Sequence, residues 1–437
     1  MKQQIKLGVV CLTRSTFDYL AATELYNGIL KDLQVLKNVE LFAIPEPIME
    51  PDEAIRTGET FAREQVDGIA VISGTFHLGH LLLEIRKRAE KPLLLWGLPE
   101  LPYNGGKIRL NSVCGVNLNA SNLVKSGVSN FTYTVGSKID EDWLDAIRMI
   151  RALKDSHIGI IGSRAHGFFN VGVSELAMYE KFGTIVDYFT LNALWDIEPR
   201  PQEVEKYRAL METAFPASPL EEDKKRKVCE LAAKFRRLAD DSKLTAIAVR
   251  CWPEFAAGYG IAPCAAMSLV QSDGLLLSCE GDLDCAITMI CHSAAGAETP
   301  FMADLSQVNP EENSALMWHC GVAPCNLTDG VCTPTMDTYH AGGRGVTAGF
   351  VLKSGRINMA RLDSINGRYR LFSRAGEALP MNKELAGTYA RVRFDQPMKD
   401  VLDTVIYNGI AHHVSMVYGD FSKVFGIFCR LKGIGTL

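Results

Sequence analysis

The feature that most constrains this chain is a series of short, uninterrupted apolar runs separated by amphipathic stretches. Ile5-Lys-Leu-Gly-Val-Val-Cys-Leu12 predicts a strand, Asp18 to Leu36 a helix and Val39 to Ile44 a second strand. Ala54 to Gln65 predicts a helix, Gly68-Ile-Ala-Val-Ile-Ser73 a third strand, Leu78 to Ala89 a helix and Pro92-Leu-Leu-Leu-Trp96 a fourth strand. A strand with no polar face must be covered on both sides. Apolar strands alternating with helices therefore imply a buried parallel sheet. The layout is Rossmann-like, but no Gly-x-Gly-x-x-Gly follows Leu12, so the dinucleotide fingerprint is missing.

The pattern restarts near residue 154. His157 to Gly162, Thr184 to Leu191, Ala246 to Trp252 and Leu275 to Cys279 predict strands. Val173 to Phe182, Glu205 to Phe215, Leu220 to Asp240 and Asp282 to Ala295 predict helices. After about residue 300 the runs become short and alternating: Phe301 to Val308, Ser314 to His319, Gly345 to Lys353, Arg356 to Ser364, Gly367 to Ser373 and Gly387 to Phe394. Ser354-Gly355 and Asn366-Gly367 are hairpin turn signals. Pro397 to Asn408 returns to helix. The expected fold class is α/β: two Rossmann-like parallel-sheet domains, 1–153 and 154–300, then a β-barrel-rich C-terminal domain, 301–437.

Composition excludes several functions. Charged residues are 22% of the chain and the net charge is −5, so nucleic acid and acidic membranes find no general attraction. No run approaches the roughly 18 apolar residues of a membrane span, and the N-terminus lacks a signal-peptide pattern. The twelve cysteines form no Cys-x-x-Cys pair and lie mostly in apolar runs, as reduced small hydrophobes would in a cytoplasmic protein.

Against this background, charges inside apolar segments stand out. Glu280 closes Gly274-Leu-Leu-Leu-Ser-Cys-Glu280, Asp304 sits in Pro300-Phe-Met-Ala-Asp304-Leu, and His412-His413 follow Asn408-Gly-Ile-Ala. Buried carboxylates need a metal or a hydrogen-bond network. Two acids and an imidazole suit a divalent metal with open positions. The plainer reading of Glu280 is an acid near a helix N-terminus, and Asp282 and Asp284 read as first-turn helix acids. Adjacent residues on a strand face opposite ways, so only one of His412 and His413 should ligate. Trp318-His319-Cys320-Gly321 offers a ring for sugar stacking and a hydrogen-bonding imidazole, or simply barrel core. Trp252-Pro253-Glu254 is a similar case at a strand end. Arg14 follows the first strand, and Arg14, Arg164 and Arg250 offer anion contacts. His77 and His80 lack a third zinc ligand, Cys320, Cys325 and Cys332 lack zinc spacing, and Ala341-Gly-Gly-Arg-Gly345 reads as a hairpin entry rather than a phosphate loop.

On Glu280, Asp304, Trp318-His319-Cys320-Gly321 and His412-His413, and on the order of its parts, the chain resembles the L-fucose isomerase and L-arabinose isomerase superfamily over nearly its whole length. That resemblance implies a metal-dependent aldose–ketose isomerase working through an enediol. Glu280, Asp304 and His413 would bind Mn²⁺ (or Mg²⁺ or Co²⁺), with Glu280 and Asp304 as the catalytic proton-transfer groups. Arg14, Trp252, Trp318, His319 and His412 would contact the sugar, Arg14 from a neighbouring subunit of a trimer or hexamer with sites near subunit interfaces. The chain is shorter than the bacterial fucose enzymes. It lacks the second histidine ligand of arabinose isomerases unless His319 takes that role. An acidic or sulfonated sugar such as sulfoquinovose is the alternative substrate. A non-catalytic sugar-binding protein and an unrelated metal-dependent lyase or epimerase are the rival functions.

Overall fold

The computed structural model describes residues 2–338, 343 and 345–437. The chain forms two compact units: residues 2–151 with 423–434, and residues 152–422 with 435–437. The stretch 341–345 lies largely outside the described residues.

In the first unit, β1 (Ile5–Leu12), β2 (Val39–Ala43), β3 (Gly68–Ser73), β4 (Leu93–Gly97) and β5 (Phe131–Val135) form one sheet in the order β2-β1-β3-β4-β5. Every pairing in it is parallel. β1, β3 and β4 are almost wholly buried, which is why they read as continuous apolar runs. The sequence reading passed over β5. Its alternate residues Thr132 and Thr134 are partly buried while Tyr133 and Val135 are exposed, as suits an edge strand. Local chemistry starts the helices. Asp18 caps Tyr19–Gln34 by accepting from Ala21 N (3.2 Å), and Glu50 and Glu53 form a capping box before Pro51–Arg63. The helix Ser422–Lys432 returns to this unit, where Lys423 pairs with Asp142 (2.6 Å) and Arg430 lies over the Phe131 ring.

In the second unit, β6 (His157–Ile161), β7 (Ile185–Phe189), β8 (Ala246–Val249) and β9 (Leu276–Cys279) form a parallel sheet in the order β7-β6-β8-β9. The chain runs from β6 outward to β7, then crosses back to β8 and β9. The β6/β8 boundary is thus a topological switch point, where carboxyl-end loops diverge and leave room for a ligand.

The same unit holds a large mixed sheet. Its strands are β10 (Phe301–Asn309), β11 (Ser314–His319), β12 (Thr335–Asp337), β13 (Thr347–Val351), β14 (Gly355–Ile365), β15 (Arg368–Leu379), β16 (Thr388–Phe394), β17 (His413–Tyr418) and β18 (Gly435–Thr436). They run in the order β12-β13-β16-β11-β10-β17-β14-β15-β18, and β15 also pairs with β16. Six antiparallel strands, from β16 round to β15, thereby close on themselves. Asn366 and Gly367, both left-handed, form the tight β14–β15 turn. Ser354-Gly355 does not make a hairpin. It leads from β13 to β14, but β13 pairs with β12 and β16. A turn dipeptide sets the local bend and leaves the choice of partner to tertiary packing. The helix Leu283–Ala294 is buried on nearly every residue because it packs against β8, β9, β14 and β17 at once.

Candidate active site

Glu280 follows β9 in a left-handed conformation (φ 62°), and Gly281 continues it (φ 75°). A side chain at Gly281 would meet the carbonyl of Ser163 at 2.4 Å and Cα of Arg164 at 2.6 Å. Only glycine lets the loop after β6 lie that close. The loop is tied down by Ala165 N donating to the Glu280 carbonyl (2.9 Å). Ser163 in this loop is itself left-handed (φ 100°). Such backbone conformations cost about 1–3 kcal/mol each and gather at working sites.

The second side of the site is a row across three neighbouring strands. Asp304 on β10 stands opposite His413 on β17 and opposite Trp318 on β11. Directly paired residues share a face, so register alone brings Asp304 and His413 together. His413 Nε2 lies 3.1 Å from Glu280 Oε2 and 3.7 Å from Asp304 Oδ1. His319, at the end of β11, lies with its ring 5.9 Å from that of His413. Among the buried atoms without a hydrogen-bond partner in the described residues are four at this site: Glu280 Oε2, Asp304 Oδ1, His319 Nε2 and His413 Nε2. The ligand atoms of Asp304, His319 and His413 all fall within 4.8 Å of one another, as do those of Glu280, His412 and His413. Orphaned acceptors at this density are costly unless they share a cation. Two carboxylate oxygens and two imidazole nitrogens are a suitable donor set for a divalent transition metal.

What orients these donors is equally specific. Trp252 Nε1 donates to Glu280 Oε1 (3.1 Å), leaving Oε2 for the site. His413 Nδ1 meets Asp282 Oδ2 at 2.8 Å, which turns Nε2 inward. Asp282 is held by Arg361 (2.8 Å), and Arg361 also donates to the His413 carbonyl (3.1 Å) and to Asp363 (3.1 Å). Asp282, His413 and Arg361 are all buried. Asp282, expected in the first helical turn, instead stands one residue before it and caps the helix Leu283–Ala294, accepting from Cys285 N (2.9 Å), and it is also the orienting partner of His413. The sequence signal for this network was Arg361, a charge within the apolar run Asn358-Met-Ala-Arg361-Leu. Asp284 is a first-turn acid as read, yet buried against Ser364 and Tyr369. Burial pushes its carboxyl up to about 7.

Electrostatics follow from this packing. Burial opposes ionisation of Glu280, but His412 and His413 outweigh it and hold the carboxyl well below the usual range. Asp282 is likewise held down, Arg361 outweighing its burial. Burial disfavours the His319 cation, yet the Cys320 sulfur, Asp304 and Glu280 push it up to about 10. His413 is raised as well, because Asp282 and Glu280 outweigh its burial. A dication binding at these atoms needs neutral imidazoles and would displace any proton they carry.

His412 breaks the alternation expected of it. β17 starts at His413, so His412 precedes the strand and its ring also turns toward Glu280, with Nε2 3.7 Å from Oε2. Its side chain is 40% exposed against 1% for His413, so His412 forms the solvent side. Phe168 packs edge-on against both His412 (5.3 Å) and Trp252 (5.8 Å), and Asn170 contacts His412 Nδ1 (3.2 Å). Phe168 and Asn170 carried no sequence signal beyond membership of a glycine-bearing loop. Trp318 stacks parallel to His319 at 6.4 Å, packs near Leu316, Val351 and Tyr389, and gives its indole N–H to Ala386. Arg14 belongs to the other unit, on the loop after β1, with its backbone N–H bonded to Thr75. His77 is buried against Ser73 and Asn119. All twelve cysteines are free thiols, Cys114 exposed and most of the rest buried.

No family model matches the chain. It is similar to sulfoquinovose isomerase of Priestia megaterium, 27% identical over 431 residues, covering 95% of this chain and 94% of that protein. The sulfoquinovose isomerase of Alkalicoccus urumqiensis is 26% identical over 384 residues, covering 85% and 84%. That of a Clostridium strain is 25% identical over 362 residues, covering 77% and 78%. Among solved structures, a periplasmic solute-binding protein of Actinobacillus succinogenes with bound D-allose is 12% identical, covers 67% of this chain and 92% of its own, and has a TM-score of 0.18. The arabinose-binding transporter component of a Shewanella species is 11% identical, covers 62% and 78%, and has a TM-score of 0.17. Likeness at that level carries no argument. No helix among the described residues is long and apolar enough to cross a membrane.

Proposed function

We propose that this protein interconverts sulfoquinovose, a hexose bearing a sulfonate at C6, and its ketose, using a divalent metal held by Glu280, Asp304, His319 and His413. The chain is an aldose–ketose isomerase in its relationships, and every relative described above bears the name sulfoquinovose isomerase. The observation that carries the metal reading is a pair of donor groups that share His413, Glu280 with His412 and His413, and Asp304 with His319 and His413, in which Glu280 Oε2, Asp304 Oδ1, His319 Nε2 and His413 Nε2 are buried without a hydrogen-bond partner. It adds His319 to the ligand set expected from sequence.

The chemistry asks for little else. Moving the carbonyl from C1 to C2 transfers a proton between neighbouring carbons through an enediol, whose two oxygens carry developing negative charge. A bound Mn²⁺, or Mg²⁺ or Co²⁺, supplies Lewis-acid stabilisation of that charge. Glu280, whose Oε1 is held by Trp252 while Oε2 faces the site, is placed to accept a proton. Asp304, on the opposite wall, serves as the second proton-transfer group. The half-exposed His412 contacts Glu280 and Asn170, a position for receiving a sugar hydroxyl. Phe168 and Trp252 exclude water from one side of Glu280. In this proposal the enzyme is a cytoplasmic homo-oligomer, and Arg14 reaches the sugar of a neighbouring subunit, as the resemblance to fucose and arabinose isomerases implies.

Sulfoquinovose incubated with the purified protein and Mn²⁺ should yield a ketose of unchanged mass, the activity disappearing with chelator and returning with metal. Glu280→Gln should lower turnover by a factor of about 10³ or more with the fold intact by circular dichroism. A chelator-resistant activity, or an active Glu280→Gln enzyme, would overturn the reading.

A further inference from the structure

The metal cluster accounts for one end of a sugar. At the switch point, the loops after β6 and β8, whose backbones are bonded to Glu280 and Gly281 through Ala165 and Val249, carry two arginines, Arg164 and Arg250. Arg250 is spent: its guanidinium pairs with Glu254 through Nε (2.9 Å) and Nη2 (2.5 Å). The deeper arginines are spent as well, Arg361 on Asp282 and Asp363, and Arg370 on Asp363. Arg164 has no carboxylate partner among the described residues. Its guanidinium rests over the Phe169 ring at 4.7 Å, and its one hydrogen bond is a long 3.5 Å contact to the Ala165 carbonyl next to it. An aromatic face holds a cation in place without neutralising it.

The position of this cation is set by the site. The backbone at Gly281 passes so close to Arg164 that a Cβ there would lie 2.6 Å from its Cα, and the loop is bonded to Glu280 through Ala165. Five residues on, the same loop supplies Asn170 to His412. It begins at the left-handed Ser163, the kind of backbone that persists where surrounding structure enforces it. The acids beside it are committed elsewhere, Asp282 to Arg361 and His413, and Glu280 to Trp252, so they do not neutralise Arg164. An anionic substrate therefore meets an unneutralised cation on this loop.

We infer that Arg164, carried on the loop 163–172, binds the anionic sulfonate end of the substrate and selects against neutral hexoses. The inference rests on the isomerase reading above and names the residue that sets its substrate class. Arg164 offers paired N–H donors in a plane, the geometry that recognises tetrahedral oxyanions.

The test compares sulfoquinovose with quinovose, which has a hydrogen where sulfoquinovose has the sulfonate, in the wild-type enzyme, Arg164→Gln and Arg164→Lys. Quinovose is measured as a substrate or, where turnover is slow, by its competitive inhibition constant. For Arg164→Gln, KM for sulfoquinovose should rise roughly tenfold to a hundredfold while kcat changes far less, with Arg164→Lys intermediate. The loss for quinovose should be smaller by about that factor, and rising salt should weaken sulfoquinovose binding to the wild type more than to Arg164→Gln. Equal losses for the two sugars, or none for either, would overturn the subsite and leave the isomerase reading standing. A wild-type enzyme inactive on sulfoquinovose but active on a neutral aldose would remove the sulfosugar reading and this inference with it.

Discussion

Asp282 shows how one side chain sets the chemistry of another. It accepts from Cys285 N at the start of a helix and also faces His413 Nδ1 at 2.8 Å, so the other ring nitrogen, Nε2, is turned toward Glu280 and Asp304. Arg361 keeps Asp282 ionised inside the protein. Partners of this kind typically alter metal affinity by one to two orders of magnitude. Asp282→Asn should therefore weaken Mn²⁺ binding, measured by calorimetry on folded protein, by roughly 10–100-fold; unchanged affinity would count against the orienting role. Glu280, Asp304 and His413 were legible in the sequence because a charged or titratable group within an apolar run needs a reason to be there. Asp282 was not, since an acid in the first turn of a helix already has an explanation. Its second bond comes from a strand 131 residues away, beyond any local pattern. The alternation rule misjudged His412 because it holds only inside a strand, and β17 begins one residue later.

At the scale of elements, the site is built by strand ends and by strand register. β9 delivers Glu280 through a left-handed turn, and the β10–β17 register delivers Asp304 to His413. The turn depends on Gly281, where φ is 75° and a Cβ would strike the backbone of Ser163 and Arg164. Gly281→Ala should cost roughly 2–5 kcal/mol in denaturant unfolding, from left-handed strain plus overpacking. Gly274 is also left-handed but has open space around it, so Gly274→Ala should show only the strain, about 1–2 kcal/mol. Equal costs would refute the close-approach argument. The buried parallel strands were readable because burial on both faces leaves an unbroken apolar run. The ring of six strands was readable only as short alternating segments. Which strands pair, and that β15 returns to β16, depends on contacts remote in sequence.

In the molecule as a whole, each unit carries a buried neutral histidine. His77 in the first is enclosed with Ser73 and Asn119, and His292 in the second bonds Ser415 (2.9 Å) and Asn358 (3.0 Å). Burial lowers both to about 4. Their folded values lie below the unfolded value near 6.5, so the native state binds fewer protons between the two. Stability is fully present above pH 6.5 and is lost as pH falls toward 4, by up to about 1.4 kcal/mol per pH unit for each histidine. Melting temperature followed from pH 7.5 to 4.5 should fall more steeply for the wild type than for His77→Gln; parallel curves would contradict this. The central claim concerns catalysis: carboxylates on a shared metal move a proton through an enediol. Its most direct test is NMR of sulfoquinovose turnover in D₂O with Mn²⁺ present, the metal being removed after quenching. The account predicts solvent deuterium at C1 of the ketose and at C2 of recovered aldose, abolished by chelation and by Glu280→Gln. Ketose formed without solvent deuterium would mean a direct hydride shift and would contradict it.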